Sequence, residues 1–429
     1  MISVAELQTA IFQRIEHYLA QDNPLNQRAK ISLPLLQSLG HILAQDIIAG
    51  FDIPGQAISA MDGFAFNLQK SDSNQPFTII GESGAGNPFT GNIAPQQGVR
   101  IFTGAVVPSD FDTVVMQEDV DFEHQATIPY AMRIAPTANL SVGKHIRQQG
   151  EEIRQHDVVL TQGKRLNPSD ISLLANLGMA EVTVYAPLSV ALIATGDELL
   201  PVGTPLPSLA HIYNSNTPTL QALLAPLPIT IQDFGIVADD LTALKATFSQ
   251  ALMTADVIIT TAGVSVGDYD YLTTLIAELG QINQYKVAMK PGKPFVFGEL
   301  RKPSGNVLYF GLPGNPLSTV VGCMQFIQPA LWHMAGTSES EIPKPLLLNA
   351  TLTADVKKTV GRQDYQRAIM HPNSSNGQGN ITVTPLASQD SHRVHQLTQA
   401  NCLMILPSES TGAKAGETVT VQPFPWAFG

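Results

Sequence analysis

Strands and helices that alternate regularly from Ser189 to Met334, flanked by stretches where that alternation is missing, predict a multidomain α/β protein around a mostly parallel sheet. Three observations support this. The middle of the chain repeats βα units, which make parallel sheets through right-handed crossovers. From Ile53 to about Leu140, Gly, Pro, Asn and Ser interrupt short extended runs, which predicts a mainly β segment. Beyond Pro343 the helical period disappears again, and short alternating runs predict a small C-terminal β domain.

The elements follow in order. Ser3-Val-Ala-Glu6 has the capping-box pattern with Ile2 and Leu7 as its staple, and Leu7, Ile11, Ile15 and Tyr18 continue a helix toward Asn23-Pro24. A second helix is predicted over Leu35 to Ala44, then an extended Gln45 to Ile48. Strands are expected at Phe77 to Ile80, Val99 to Phe102 and Thr113 to Met116. Asn167-Pro-Ser-Asp170 starts a helix that Gly178 is placed to end. Packing that helix with the N-terminal ones makes the β segment an insertion. Strands then follow at Val190 to Ala194, Thr230 to Phe234, Val257 to Ile259, Tyr285 to Met289 and Asn306 to Phe310. Helices alternate with them at Thr219 to Leu224, Leu241 to Met253, Tyr271 to Leu279 and Leu317 to Met334. Runs at Leu346 to Leu352 and Ile381 to Thr384 belong to the C-terminal domain. The expected domains are 1–54 with 143–186 (helical and mixed), 55–142 (β-rich), 187–338 (α/β) and 342–429 (β).

Composition bounds the function. A chain of 429 residues, 44% hydrophobic and 14% charged, has ample core for two to four domains. Its formal net charge of −12 argues against nonspecific binding to nucleic acid or to an anionic membrane surface. Cys323 and Cys402 lie far apart with no CxxC pair, so neither a disulfide framework nor a thiolate zinc site is expected. With no signal-like start and no run long and apolar enough to span a bilayer, a cytoplasmic setting is expected.

Two turns carry most of the chemistry: Lys290-Pro-Gly-Lys293-Pro and Gly311-Leu-Pro-Gly-Asn-Pro316. Each follows a strand, where open α/β sheets bind ligands. Glycine allows close approach of main-chain N–H groups, proline fixes the turn, and Lys290 and Lys293 add positive charge, so the expected guest is an anion such as phosphate. Either turn alone would read as ordinary punctuation. A third, Thr260-Thr-Ala-Gly-Val-Ser-Val-Gly267, makes coincidence a poor explanation. Acidic residues also stand at strand ends: Asp197 and Glu198, Asp239 and Asp240, and Asp270. Carboxylates beside phosphate call for a cation, and Mg²⁺ uses one or two of them together with substrate phosphates. Asp239 also reads as a helix N-cap, and Asp197 and Glu198 divide between capping and catalysis.

The strings Ser59-Ala-Met-Asp-Gly-Phe64, Phe102-Thr-Gly-Ala-Val-Val-Pro108, Val114-Val-Met-Gln-Glu118, Thr195-Gly-Asp-Glu-Leu199, Gly263-Val-Ser-Val-Gly267, Lys290-Pro-Gly-Lys-Pro294 and Gly311-Leu-Pro-Gly-Asn-Pro316 resemble those of the MoeA and gephyrin E-domain family of molybdopterin molybdenumtransferases. The resemblance implies a four-domain homodimer with shared active sites and a molybdopterin-binding type of α/β domain. The implied reaction inserts molybdate into adenylylated molybdopterin and releases AMP with Mg²⁺, with contact to the molybdopterin adenylyltransferase. It assigns catalysis to Asp62, Thr103, Glu152, Glu198, Asp239, Asp270, Lys286 and Lys290, and metal binding to Glu198, Asp239 and Asp270. Substrate binding falls to Gly263, Ser265, Lys293, Pro313, Gly314, Asn315, Pro316, Arg362 and Ser391. Asp62 and Thr103 would reach the site of the neighbouring subunit.

Two departures stand out. The family's Gly-Glu-Asp is here Gly150-Glu-Glu152, with a longer acid, and its Gly-Gly-Val-Ser is here Ala262-Gly-Val-Ser265. The added methyl is tolerable only if position 262 does not need positive φ or very close ligand approach. A molybdopterin adenylyltransferase would not need the β insertion or C-terminal domain, and a gephyrin-like scaffold would show a degenerate site. A nicotinamide dehydrogenase does not fit, because Gly81-Glu-Ser-Gly-Ala-Gly86 has the wrong glycine order and runs into Asn87-Pro88.

Overall fold

The computed structural model describes residues 1–20, 28–123, 127–262, 271–302, 305–372 and 381–427. The chain falls into two compact units, one of residues 1–45, 162–171 and 180–429, the other of 46–161 and 172–179. Among the described residues no helix is long and apolar enough to cross a membrane.

The first unit is built on a six-stranded sheet in the order Ile229–Val237, Leu188–Thr195, Val257–Thr261, Gly305–Leu312, Pro294–Lys302, Gly280–Lys286. The first four strands are parallel, and Pro294–Lys302 runs antiparallel to both of its neighbours. Thr195, Val237, Thr261, Leu312, Lys286 and Pro294 therefore all stand at one edge, the carboxyl edge of the parallel strands. Successive residues face opposite layers. Ile259 and Phe310 pack with Leu7, Ile11 and Ile15 of the N-terminal helix Val4–Ala20, while Ile258 and Tyr309 pack with Leu244 and Phe248 of the helix Leu241–Thr254. Ser3 and Glu6 form the expected capping box.

A second sheet in the same unit orders Met289–Lys290, Gln363–Pro372, Ile381–Pro385, Leu348–Leu352, Thr418–Pro423 and Cys402–Leu406. Gln363–Pro372 also pairs with Cys402–Leu406, which closes five strands into a small barrel around Leu352, Ala368, Val383, Met404 and Val421.

Three expected elements differ. Leu35 to Ala44 holds only the 3-10 turn Leu35–Ser38: Gly40 at φ +81° ends it, and Leu36 and Leu39 face solvent. The strand expected at Tyr285 to Met289 divides, Gly280–Lys286 joining the α/β sheet and Met289–Lys290 pairing in parallel with Gln363–Asp364 of the barrel. The long terminal helix carries a π turn, Cys323–Ile327, between Pro316–Gly322 and Gln328–Met334.

The second unit holds a sheet in the order Thr113–Met116, Gly63–Phe66, Gln97–Ile101, Phe77–Ser83, Tyr130–Ile134, Val120–Phe122. Ala65 and Val99 face one core, Phe64, Phe66 and Phe77 the other. The β-rich character of this segment was legible from its turn residues.

Candidate active site

At the carboxyl edge of the α/β sheet, Thr195 leads into Gly196, whose φ is +141°. A Cβ on Gly196 would lie 2.6 Å from Glu198 Oε2, so the Glu198 carboxylate folds back over the turn that only glycine leaves open. Asp197 spans to the next strand by accepting from the Asp239 N–H at 3.1 Å. That bond brings the acidic turns after Leu188–Thr195 and Ile229–Val237 together. Asp240, not Asp239, caps the following helix, accepting from the Ala243 N–H at 2.8 Å. Glu198 and Asp239 are both exposed at this edge.

The lysine turn is stitched from three sides. Val287 N–H donates to the Lys293 carbonyl at 2.7 Å, closing the loop. Ile2 brackets its start, donating to Lys286 O and accepting from Ala288 N–H, and the Gln363 N–H donates to Ala288 O. Arg362 is thereby placed one residue before the strand that pairs with Met289–Lys290. Lys286, Lys290 and Lys293 are exposed, and among the described residues none of them pairs with a carboxylate. Concentrated, unneutralised positive charge at a strand-end crevice suits a phosphate-rich ligand.

The other turn is held from behind. Asn216 Nδ2 donates to the Gly314 carbonyl at 2.8 Å and Thr319 Oγ1 to the Pro313 carbonyl at 3.0 Å. Pro316 opens the helix that follows, and Asn315 Nδ2 donates to Ser391 Oγ at 2.9 Å. The structure thus joins Asn315 to Ser391 across 76 residues. Ala262 N–H donates to Leu312 O, and Ala262 sits at φ +77° with its methyl 3.3 Å from where a Cβ on Gly314 would stand. The condition for tolerating that methyl is therefore not met: position 262 adopts the left-handed region with an L side chain. Gly263, Ser265 and Asp270 lie outside the described residues.

In the second unit, Asp62 Oδ1 accepts from the Thr103 N–H at 2.7 Å and from Thr103 Oγ1 at 2.8 Å. These two donors, the main-chain one first, hold the Asp62 carboxyl below its usual range, and the nearby Arg100 guanidinium adds to the effect. Arg100 itself lies among the rings of Phe64, Phe102 and Phe122. Glu152 donates its N–H to the Ile53 carbonyl. The carboxylate that gathers this loop is Asp52, which accepts from Gln155 N–H and Gln149 Nε2, both at 2.7 Å.

Sequence reasoning missed Asn216, Thr319, Arg100 and Asp52. Asn216 opens a helix and so reads as a cap. Among the described residues no three His, Cys, Asp or Glu side chains gather to hold a metal ion.

Three family profiles match in order: the MoeA N-terminal region (domain I and II) at residues 2–178, a probable molybdopterin binding domain at 191–333, and the MoeA C-terminal region (domain IV) at 349–424. A molybdopterin molybdenumtransferase of Haemophilus influenzae is 39% identical over 392 residues, covering 91% of this chain and 93% of that protein. The chain belongs to the molybdopterin molybdenumtransferase family. Another member, from Staphylococcus aureus (strain COL), is 36% identical over 410 residues, covering 93% and 92% of the two chains. The molybdopterin biosynthesis moeA protein of Pyrococcus horikoshii OT3 superposes with a TM-score of 0.78 at 23% identity, covering 99% of this chain and 100% of that one, a likeness of fold. Membership of the molybdenumtransferase family agrees with the resemblance read from the seven strings and with the α/β and barrel architecture.

Proposed function

We propose that this chain acts in molybdenum cofactor biosynthesis as a transferase, inserting molybdate into adenylylated molybdopterin and releasing AMP. The observation that carries the reading is the set of exposed lysines, Lys286, Lys290 and Lys293, on a braced loop at the strand-end edge that also bears Glu198 and Asp239. The substrate's pyrophosphate and the incoming molybdate dianion are both negative, and fixed cations favour their approach to one another. Asn315 and Ser391 supply neutral polar groups at the turn after the neighbouring strand, and Arg362 a further cation.

Mg²⁺ fits this donor set, because Glu198 and Asp239 provide the one or two carboxylates that the ion takes alongside substrate phosphates. Bound there, it would supply charge neutralisation at the phosphate oxygens. Two hydrogen bonds from Thr103 fix the Asp62 carboxylate, which is ionised at neutral pH and could orient water or a cation. We further propose a homodimer in which Asp62 and Thr103 of one subunit serve the lysine crevice of the other, and receipt of the substrate by contact with the adenylyltransferase. A four-domain division at 1–54 with 143–186, 55–142, 187–338 and 342–429 accompanies this reading. The reducing cytoplasm is its expected setting, consistent with Cys323 and Cys402 being free, buried thiols.

The test is to supply purified protein with adenylylated molybdopterin and measure AMP with and without molybdate. AMP release that needs both molybdate and Mg²⁺, without ATP consumption, is expected. Molybdate-independent release, or none, overturns the reading, and pyrophosphate production from ATP would point to adenylylation.

A further inference from the structure

Arg367 is a wholly buried arginine with 0% exposure, on the barrel strand Gln363–Pro372. Among the described residues its guanidinium makes hydrogen bonds to main-chain carbonyls alone. Nη1 donates to Arg393 O at 2.8 Å, and Nη2 donates to Ser388 O at 3.1 Å and Asp390 O at 3.0 Å, while Nε has no partner among the same residues. The neighbouring carboxylate is engaged elsewhere: Asp390 Oδ2 accepts from Ser388 Oγ and Arg393 Nε. The main chain of Arg367 holds the same loop a second time. Its N–H donates to Gln389 Oε1 at 2.9 Å, and its carbonyl accepts from Gln389 Nε2 at 3.0 Å and from the Leu386 N–H at 3.1 Å.

A buried cation without a hydrogen-bonded carboxylate is costly, and an apolar side chain of similar volume would fill the space between strand and loop more favourably. The planar fork of arginine does what such a side chain cannot: it binds several carbonyls set around it, where the single ammonium of lysine has less reach. Three carbonyls of residues 388–393 turn inward onto this fork. Ser391, in the middle of that loop, accepts from Asn315 Nδ2 through its hydroxyl, and from the Leu317 N–H at 3.4 Å through its carbonyl.

We propose that Arg367 is a positioning residue that fixes the 388–393 loop, so that Ser391 meets the Gly311–Pro316 turn at Asn315 and the substrate crevice is closed on that side. The role rests on the proposed reading that this turn and Ser391 line the substrate site.

The full-length Arg367→Met and Arg367→Lys variants test it by hydrogen exchange and by steady-state kinetics of molybdate-dependent AMP release. In Arg367→Met, exchange in residues 386–394 and at the Leu317 N–H is expected to quicken roughly tenfold or more, while that of Val257–Thr261 stays unchanged. KM for adenylylated molybdopterin should rise roughly tenfold with kcat within about twofold, and adding Ser391→Ala should raise KM no further. Arg367→Lys should recover part of the loss, and it carries the same readouts if the Met variant does not fold. Unchanged loop exchange overturns the clamp, and faster exchange with unchanged KM overturns its bearing on the substrate. Wild-type protein that releases no AMP overturns the functional reading instead, and loop exchange still decides the clamp.

Discussion

At φ +77°, Ala262 holds a backbone conformation that an L side chain enters at a cost of about 1–2 kcal/mol. Glycine would adopt it freely but would lose more chain entropy on folding, so Ala262→Gly is expected to stabilise the protein by about 0.5–1 kcal/mol net. A shift of the urea unfolding midpoint to higher concentration checks this, and a lower midpoint would show that the packing of the methyl and the chain entropy outweigh the strain. The sequence posed the question at this position, since the family string has glycine there, but a one-letter code carries no dihedral angle. The acids were partly legible in the same way. Asp62 and Thr103 stood in separate strings, and nothing local revealed that both donors of Thr103 converge on one oxygen of Asp62. Position just before the helix made Asp239 the expected cap, and the bond to Ala243 N–H assigns the cap to Asp240 instead.

Among the elements, the strand Gly63–Phe66 lies between Gln97–Ile101 and Thr113–Met116, immediately after Asp62. A Cβ on Gly63 would stand 1.9 Å from the Val115 carbonyl oxygen, which is main chain and cannot turn aside. Gly63→Ala should therefore destabilise the second unit by about 1–3 kcal/mol or more and displace Asp62. Thermal unfolding and loss of the Asp62 to Thr103 hydrogen bonds in a crystal structure of the variant would report both effects; wild-type stability would show the strands part without penalty. The regular βα alternation made the α/β strands readable because burial on both faces leaves unbroken apolar runs. The lysine strand was misplaced for a related reason. Val287 and Met289 are fully buried, yet Val287 bridges to Ile2 and Met289 opens a two-residue strand that pairs with a segment more than 70 residues later, and no local period encodes such pairing. Leu35 to Ala44 failed as a helix because Ile42 and Leu43 bridge to Arg165 and Val184, so their apolar character reflects long-range contacts.

On the scale of the whole molecule, the candidate chemistry is divided between the two compact units, Asp62 and Thr103 in one and the three lysines with Glu198 in the other. If the sites of the proposed homodimer are shared, Asp62→Asn and Lys290→Ala dimers should each be strongly impaired, yet mixing them should restore activity. Random exchange makes half of the dimers mixed, each with one intact site of two, so about a quarter of wild-type activity is expected. No recovery after demonstrated subunit exchange would reject sharing. The multidomain class was legible because composition changes along the chain, whereas the closure of the barrel through Gln363–Pro372 and Cys402–Leu406 depends on pairings that only three dimensions reveal. The brace on the lysine loop has a consequence for synthesis. Met289–Lys290 has no strand partner until residues 363 and 364 have been made, and the barrel that holds those residues closes only after 402–406 and 418–423 emerge. Domains generally fold from the N-terminus as the ribosome delivers them. The Asp62 turn can therefore mature early on the nascent chain, while the lysine loop must wait for nearly the last residue, so a product terminated between residues 293 and 363 carries Lys286, Lys290 and Lys293 and lacks the frame that braces them.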